Sequence, residues 1–510
     1  MLRLFCLSFC WLLAVNCTLG ASGDRPPNII FIIADDLGWG DLGCYGQTKI
    51  RTPNLDKMAS EGVRLTQMHS GNAVCAPSRC VLMTGKHPGH AHIRDNRQWE
   101  KAKGLSKIGK PEFEGQEPIP DNEITMAEAF KAAGFTTGGF GKWGLGGPGS
   151  TGEPLKQGFD RWYGYNCQGV AHNFYPTYLW DDANPVSLNN HPFQVPDALK
   201  SDEDPSNPQV YARFRGNDYA PDLIDEQAIA FATQNKEKPF FIYWPTTVPH
   251  VSLQVPEESL LEYTGKWDDP PYPGGKGYLP HHKPKAAYAA MITRMDRDIG
   301  QMMATIDKLG LGEHTIFCFT SDNGPLTGTH QGLAGTDCEF FDSNGPFRDG
   351  KGTLYEGGFR VPGIVRWKGH IKPAVSDRVC GFEDWMPTLL DLVSASSKAP
   401  SGIDGISFAP TLRGETQSER DYLYREFPSY GGQQMIRSGK WKLLKNGLSS
   451  KGGKSKRAAK QETALYDLES DPGETKNLAS ENPAVVSRLE SLAASARTPS
   501  ITFPFPALDK

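Results

Sequence analysis

The apolar run from Asn28 to Ala34, in "RPPNIIFIIADDLGWGDLGCYG", shows no alternation and ends on two acids and a Gly-rich turn. Such a run predicts a strand covered on both faces, as in parallel sheets, with polar groups at its carboxyl end. The pattern recurs. "GFTTGGFGKWGLG" follows the helix-like "EITMAEAFKAAG", "KPFFIYWPTTVPH" follows "PDLIDEQAIAFATQN", and "HTIFCFTSDNG" follows "AAYAAMITRMDRDIGQMMATIDKLG". Each reads as helix, strand, polar loop. The alternation predicts an α/β fold, a mostly parallel sheet between helices, with ligands beyond the carboxyl ends of the strands. Those ends carry Asp35, Asp36, Lys142, His250, Asp322 and Asn323, so one pocket is expected to gather them.

Beyond about residue 415 the texture shifts to short strand-like pieces, "DYLYREF", "QQMIRSGKWKLLKN" and "TALYDLESDP", closed by the helix-like "NPAVVSRLESLAASAR". This predicts a small C-terminal domain with an antiparallel sheet and a helix, over 415–510, after a large α/β domain over 22–414. The basic "KNGLSSKGGKSKRAAKQ" between its strands reads as a solvated loop or as an attraction for a polyanionic substrate.

With 510 residues, 38% of them hydrophobic, and a formal net charge of -5, the chain reads as a soluble globular protein with no nucleic-acid signal. Residues 1–21 have a basic start, an apolar run and small residues around Gly20, which is how a signal peptide reads, and they predict a secreted or periplasmic protein. "AVNC" around Cys17 is a poor lipoprotein match. No later run reaches the roughly 18 apolar residues of a membrane span. Without the leader, Cys44, Cys75, Cys80, Cys167, Cys318, Cys338 and Cys380 remain. An odd number in an oxidising compartment means a sulfur that is free, paired between chains, or no longer a thiol.

The acids at "ADD" are ambiguous alone, because Asp-Asp also caps turns. "SDNG" at a second strand end adds to them. Three carboxylates and one amide oxygen suit a hard divalent cation such as Ca2+ or Mg2+, and the Cys/His spacing of zinc sites is missing. Beside such an ion, the soft thiol of Cys75 in "NAVCAPSRCVLMTG" is out of place, whereas an oxygen there is not. A disulfide to Cys80 is the alternative.

"CAPSRCVLMTG" resembles the Cys-x-Pro-Ser-Arg motif, continued by Leu82, Thr84 and Gly85, of the formylglycine-dependent type I sulfatases, an arylsulfatase-like family of the alkaline phosphatase superfamily. The resemblance extends over nearly the whole mature chain: "NIIFIIADDLGWGDLGCYG", "GKWGLG", "TTVPH", "TSDNG", "GKGTLYEGGFRVP" and "LYDLESDPGETKNLA" are similar to further family segments in the same order. It implies an alkaline-phosphatase-like fold and a sulfuric ester hydrolase. It also implies a maturation enzyme that oxidises Cys75 to formylglycine, leaving six cysteines, and Ca2+ held by Asp35, Asp36, Asp322, Asn323 and an oxygen of the modified Cys75. By the same resemblance, Arg79 and Lys142 brace the hydrated aldehyde. His250 protonates the leaving alcohol, and Lys351 stabilises sulfate and leaving oxygen.

One position departs from the pattern. Many relatives read Gly-Lys-Trp-His where this chain has Gly141, Lys142, Trp143 and Gly144, so the second active-site histidine is missing. His172, in "QGVAHNFYP", is the candidate to bind the sulfate or take a proton in its place. His281 and His282 are weaker candidates, placed on a loop before a helix. Long polar loops at 96–120 and 166–220, with Trp99, Tyr165, Tyr175, Tyr178 and Trp180 to stack on rings or anchor the loops, point to a sulfated saccharide as substrate. A phosphate or phosphonate hydrolase on the same fold and a non-catalytic binder of sulfated glycans remain as alternatives.

Overall fold

The computed structural model describes residues 25–99, 111, 114–193, 197–275, 277–449 and 461–509. The leader read in 1–21 and most of the basic insertion lie outside the described residues. Eleven strands form the main sheet: β1 Asn28–Ala34, β2 Val63–His69, β3 Thr136–Lys142, β4 Arg161–Tyr165, β5 Tyr178–Asp181, β6 Asn184–Ser187, β7 Phe240–Pro245, β8 Thr315–Ser321, β9 Arg360–Trp367, β10 Ala374–Ser376 and β11 Cys380–Gly381. The order is β10-β2-β9-β8-β1-β7-β3-β4-β5-β6, with β11 also on β2. From β8 to β4 the strands are parallel, and β9 and β5 run against their neighbours in that block.

Every residue of β1, β7 and β8 is buried, as unbroken apolar runs require when helices cover both faces. The covering helices include Met126–Ala132, Ala220–Gln234, Pro284–Lys308 and Trp385–Leu392. Met126–Ala132 opens with a reciprocal cap in which Thr125 and Glu128 satisfy each other's backbone N–H.

A second sheet of four antiparallel strands, β12 Leu423–Phe427, β13 Gln433–Ser438, β14 Trp441–Asn446 and β15 Glu462–Asp467, follows. "QQMIRSGKWKLLKN", read as one strand-like piece, is a hairpin whose two-residue turn starts at Gly439 with φ +56°. Glycine adopts that conformation at little cost, so the turn forms there. Alternate residues of this sheet face different partners. Leu423, Phe427 and Met435 pack on Val74, Leu354 and Phe359, while Tyr424, Ile436 and Leu443 pack on the helix Pro483–Ser495 through Leu489 and Ala493. The first face therefore holds the segments that flank Cys75 and Lys351. Among the described residues no helix is long and apolar enough to cross a membrane.

Candidate active site

Because β1 and β8 are parallel neighbours in register, Ala34 beside Ser321, the acids that follow both strands converge. The chain ends are tied across: Asp322 N–H donates to Ala34 O at 3.0 Å, Asp36 N–H to Asp322 Oδ1 at 3.2 Å, and Leu37 N–H to Ser321 Oγ at 3.0 Å. Asp36 takes φ +64°, a left-handed conformation that Asp tolerates better than most residues when its side chain is locally bonded. β7 on the other side of β1 delivers His250, and β3 beyond it delivers Lys142.

Cys75 is the first residue of the helix Cys75–Thr84. Pro77 lies in its first turn, where a missing N–H leaves no bond unmade, and the left-handed Gly85 ends it at φ +67°. The Cys75 Sγ lies 3.5 Å from Asp35 Oδ1, 3.6 Å from Lys142 Nζ and 3.7 Å from Lys351 Nζ. It lines a cavity of about 270 Å3 together with His172, His250, Lys351, Gln168, Tyr278 and Tyr430. None of the seven described cysteines is in a disulfide, and Cys80 is buried in the core.

Three ion pairs sit under the cavity. Lys142 Nζ donates to Asp35 Oδ2, Lys351 Nζ to both Asp36 oxygens at 2.6 and 2.8 Å, and Arg79 to Asp322 Oδ2 at 2.8 and 3.1 Å. Arg79 also donates to the Lys142 carbonyl at 2.8 Å, so it reaches position 75 through its neighbours. It is fully buried, unlike a surface ion-pair residue, and Lys351 is buried too, unlike a loop-tip charge. Burial pushes Asp35 up, but Lys142, His250, Arg79 and Lys351 outweigh it and hold the carboxyl well below the usual range. Burial and the neighbouring Asp35 raise Asp322 to about 6 despite Arg79. Burial raises the Cys75 thiol as well, against Lys142 and Lys351, so it stays protonated.

The two histidines stack with ring centroids 4.4 Å apart and planes 11° from parallel. Burial, with the nearby Lys351 and Lys142, holds His250 well below its ordinary value, and burial with His250 and Lys142 does the same for His172. His250 Nδ1 donates to the Val251 carbonyl, which leaves the lone pair at Nε2, 3.5 Å from Asp36 Oδ2.

Whether these residues suit a hard cation is decided by their oxygens. Asn323 donates from Nδ2 to Asp36 Oδ1 at 2.8 Å, while its own Oδ1 is buried without a hydrogen-bond partner. An orphaned carbonyl oxygen beside three aspartates is a donor set that fits Ca2+ or Mg2+. One ligand atom each from Asp35, Asp36, Cys75 and His250 lies within 4.8 Å of the others.

Residues 27–395 match the family model described as Sulfatase. The chain belongs to the sulfatase family. Residues 347–494 also match a model described as N-sulphoglucosamine sulphohydrolase, C-terminal. The sulfatase chain is 32% identical to arylsulfatase A of Homo sapiens over 498 residues, covering 93% of this chain and 88% of the relative. It is 29% identical to an N-acetylgalactosamine-6-O-sulfatase of Bacteroides thetaiotaomicron over 522 residues, covering 93% and 94%. A solved structure from work on the metabolism of multiple glycosaminoglycans by Bacteroides thetaiotaomicron is similar at TM-score 0.69 and 28% identity, covering 93% of this chain and 99% of that one. The fold is that of the alkaline-phosphatase-like sulfatases, and the protein is a sulfuric ester hydrolase.

Four of the five expected ring-stacking aromatics are a correction, and the fifth, Trp99, is half-buried and does not line the cavity. Tyr165, Tyr175, Tyr178 and Trp180 are buried, Tyr165 donating to Asn173 O and both Tyr178 and Trp180 to Glu114, so they anchor loops. The aromatics at the cavity are Tyr278 and Tyr430, which sequence reasoning passed over. Tyr430 carried a signal, an aromatic followed by Gly431 and Gly432, and it is 44% exposed with φ +51°. His281 and His282 line a separate small cavity with Tyr211.

Proposed function

We propose that this sulfatase removes sulfate from a sulfated carbohydrate, using formylglycine made from Cys75 by a maturation enzyme and a Ca2+ held by Asp35, Asp36, Asp322 and Asn323 with position 75. The observation that carries the reading is the unpaired, buried Cys75 between Lys142 and Lys351 on the cavity. When bound, the ion supplies positive charge to the sulfate oxygens. The aldehyde, as its hydrate, supplies one hydroxyl to attack sulfur and a second whose deprotonation expels sulfate, a step a plain Ser or Cys cannot make.

The protein's own groups do the rest. Lys142 lowers the cost of ionising a hydroxyl at position 75, with Arg79 holding both the Lys142 carbonyl and Asp322 in place. Lys351 balances charge on the sulfate and the leaving oxygen. His250, neutral with a free Nε2, takes the proton of the attacking hydroxyl and returns it to the departing alkoxide. His172, stacked against it, accepts the proton of the elimination step in the absence of a histidine at position 144. Carbohydrate specificity is supported by the relatives named for sulfated sugars and by Tyr278 and Tyr430 beside the pocket. The division into 22–414 and 415–510 and export through residues 1–21 belong to the same proposal.

The test is peptide mass spectrometry of the tryptic fragment ending at Arg79, on protein from a host that makes the aldehyde, with sulfate release from N-acetylgalactosamine 6-sulfate, N-acetylglucosamine 6-sulfate, galactose 6-sulfate and galactose 4-sulfate. Aldehyde and sulfate release together are expected. An intact thiol in protein that still releases sulfate would remove Cys75 from the mechanism. With Cys75 converted, turnover unchanged in His172→Ala would remove His172.

A further inference from the structure

The amide nitrogen of Gln168 is buried and has no hydrogen-bond partner, although Gln168 lines the same cavity as Cys75, His172 and Lys351. An enclosed N–H donor left empty is costly, and such groups are rare unless a ligand or water completes them. Its place is set by the backbone. Gln168 N–H donates to Gln116 Oε1 at 2.9 Å, and the loop before it continues the pairing of β4 with β3, Trp143 N–H donating to Tyr165 O at 2.9 Å and Gly144 N–H to Asn166 O at 3.2 Å. The side chain lies over Gly144, two residues past Lys142. Gly144 has φ +87°, and a Cβ there would stand 2.4 Å from Gln168 Nε2. A side chain at position 144 and the Gln168 amide therefore compete for one space, and in this chain the amide has it.

We propose that Gln168 Nε2 donates to a non-leaving oxygen of the sulfate ester, and that as a neutral donor it favours a monoanionic sulfate ester over a dianionic phosphomonoester. The inference rests on the proposed function. Lys142 and Lys351, the cations within 3.7 Å of Cys75 Sγ, each already face an aspartate, and Arg97, a further cation on the cavity, is ion-paired with Glu117 at 3.2 Å. A neutral amide satisfies one sulfate oxygen without adding the charge that a second anionic oxygen would require.

The experiment uses the matured full-length enzyme, with the aldehyde at position 75 verified, the best sulfated sugar of the four above, and the same sugar carrying phosphate. Gln168→Ala is expected to lower kcat/KM for sulfate release by about 10- to 100-fold, the size of one hydrogen bond to a charged group. Gln168→Glu, of the same shape, is expected to lose at least as much, because a carboxylate faces the anion, and it carries the test if the alanine variant does not fold. Gln168→Lys is expected to lower the sulfate-over-phosphate ratio by about tenfold or more. Rates within twofold of the parent in Gln168→Ala or Gln168→Glu overturn the contact. A ratio unchanged in Gln168→Lys overturns the selectivity. A matured parent that releases no sulfate from any of the four sugars overturns the proposed function and this inference with it, whereas an active parent with unaffected variants overturns this inference alone.

Discussion

Two buried ionic clusters lie on either side of the loop that leads into Cys75, and they are built for opposite ends. Behind it, Glu383 receives Arg425 at 2.9 and 3.1 Å and Arg420 at 3.1 Å, and Asp384 receives Arg420 at 2.7 Å and the backbone N–H groups of Gly381 and Ile406 at 2.8 and 2.9 Å. Arg425 also donates to Ser70 O at 2.8 Å, tying β12 to the segment before the nucleophile position. All four of these acid oxygens carry a partner. In front, the cluster beside Cys75 has equal numbers of acids and cations, yet it keeps an unpartnered Asn323 oxygen, a left-handed Asp36 and two lysines near one sulfur. Arginine forks fix a geometry, whereas a lysine is a point charge on a flexible stem that can exchange partners. A closed set of pairs holds a fold, and an incomplete set holds a ligand.

The sharpest break between the two is expected at Cys75. Cys75→Ala should lower sulfate release by on the order of 10^6-fold, as removing a covalent nucleophile does, with the melting temperature little changed. A variant that keeps a tenth of the rate would place the nucleophile elsewhere. Glu383→Ala should do the reverse. It strands Arg425 without a carboxylate and leaves Arg420 with Asp384 alone, a loss of about 3–5 kcal/mol of stability by denaturant unfolding. Unchanged stability would mean that the closed cluster contributes nothing net. The same cluster should also fail in acid. Burial pushes Glu383 up, but Arg425 and Arg420 outweigh it and bring it to about 2, below its ordinary 4.5. A depressed folded-state value means the stabilisation is present above pH 4.5 and is lost as the pH falls towards 2, roughly 3 kcal/mol in all. Unfolding curves between pH 6 and 3 check it.

How far each cluster was legible in sequence follows from how each is assembled. The candidate acids Asp35 and Asp322, with Lys142 and His250, stand at or just beyond the ends of strands, so the pattern of the chain announced both the strands and the candidate chemistry at their ends. β1, read as Asn28 to Ala34, has those bounds. Gln168, Tyr278 and Tyr430 sit on irregular loops, where no period marks a residue as facing a cavity. β5 and β6 are short, lie at one end of the sheet and fall within 166–220, which reads as loop. The Glu383 cluster joins residues more than 30 positions apart through β12, and pairing at that range is invisible until the second sheet is docked. The buried Tyr165 and Trp180 show the reverse error, since an aromatic on a polar stretch looks available until its burial is known.

The smallest effect separates the clusters most cleanly, because it reads the ion. Burial and Asp35 raise Asp322 to about 6, so its contribution has the sign opposite to that of Glu383. Stability is fully present below its ordinary 3.8 and is lost as the pH rises through about 6. Ca2+ held as proposed would reverse that loss by taking the carboxylate form. At 100 times its Kd at pH 8, added Ca2+ should stabilise chelator-treated protein by about 2.7 kcal/mol. At pH 5 the ion must displace the Asp322 proton, which weakens binding about tenfold per pH unit below 6, so the same Ca2+ should give about half that shift. Melting temperatures with and without Ca2+ at the two pH values measure both numbers. An equal shift at pH 5 and pH 8 would show that the ion binds without Asp322, and no shift at either would leave the unpartnered Asn323 oxygen without a cation to explain it.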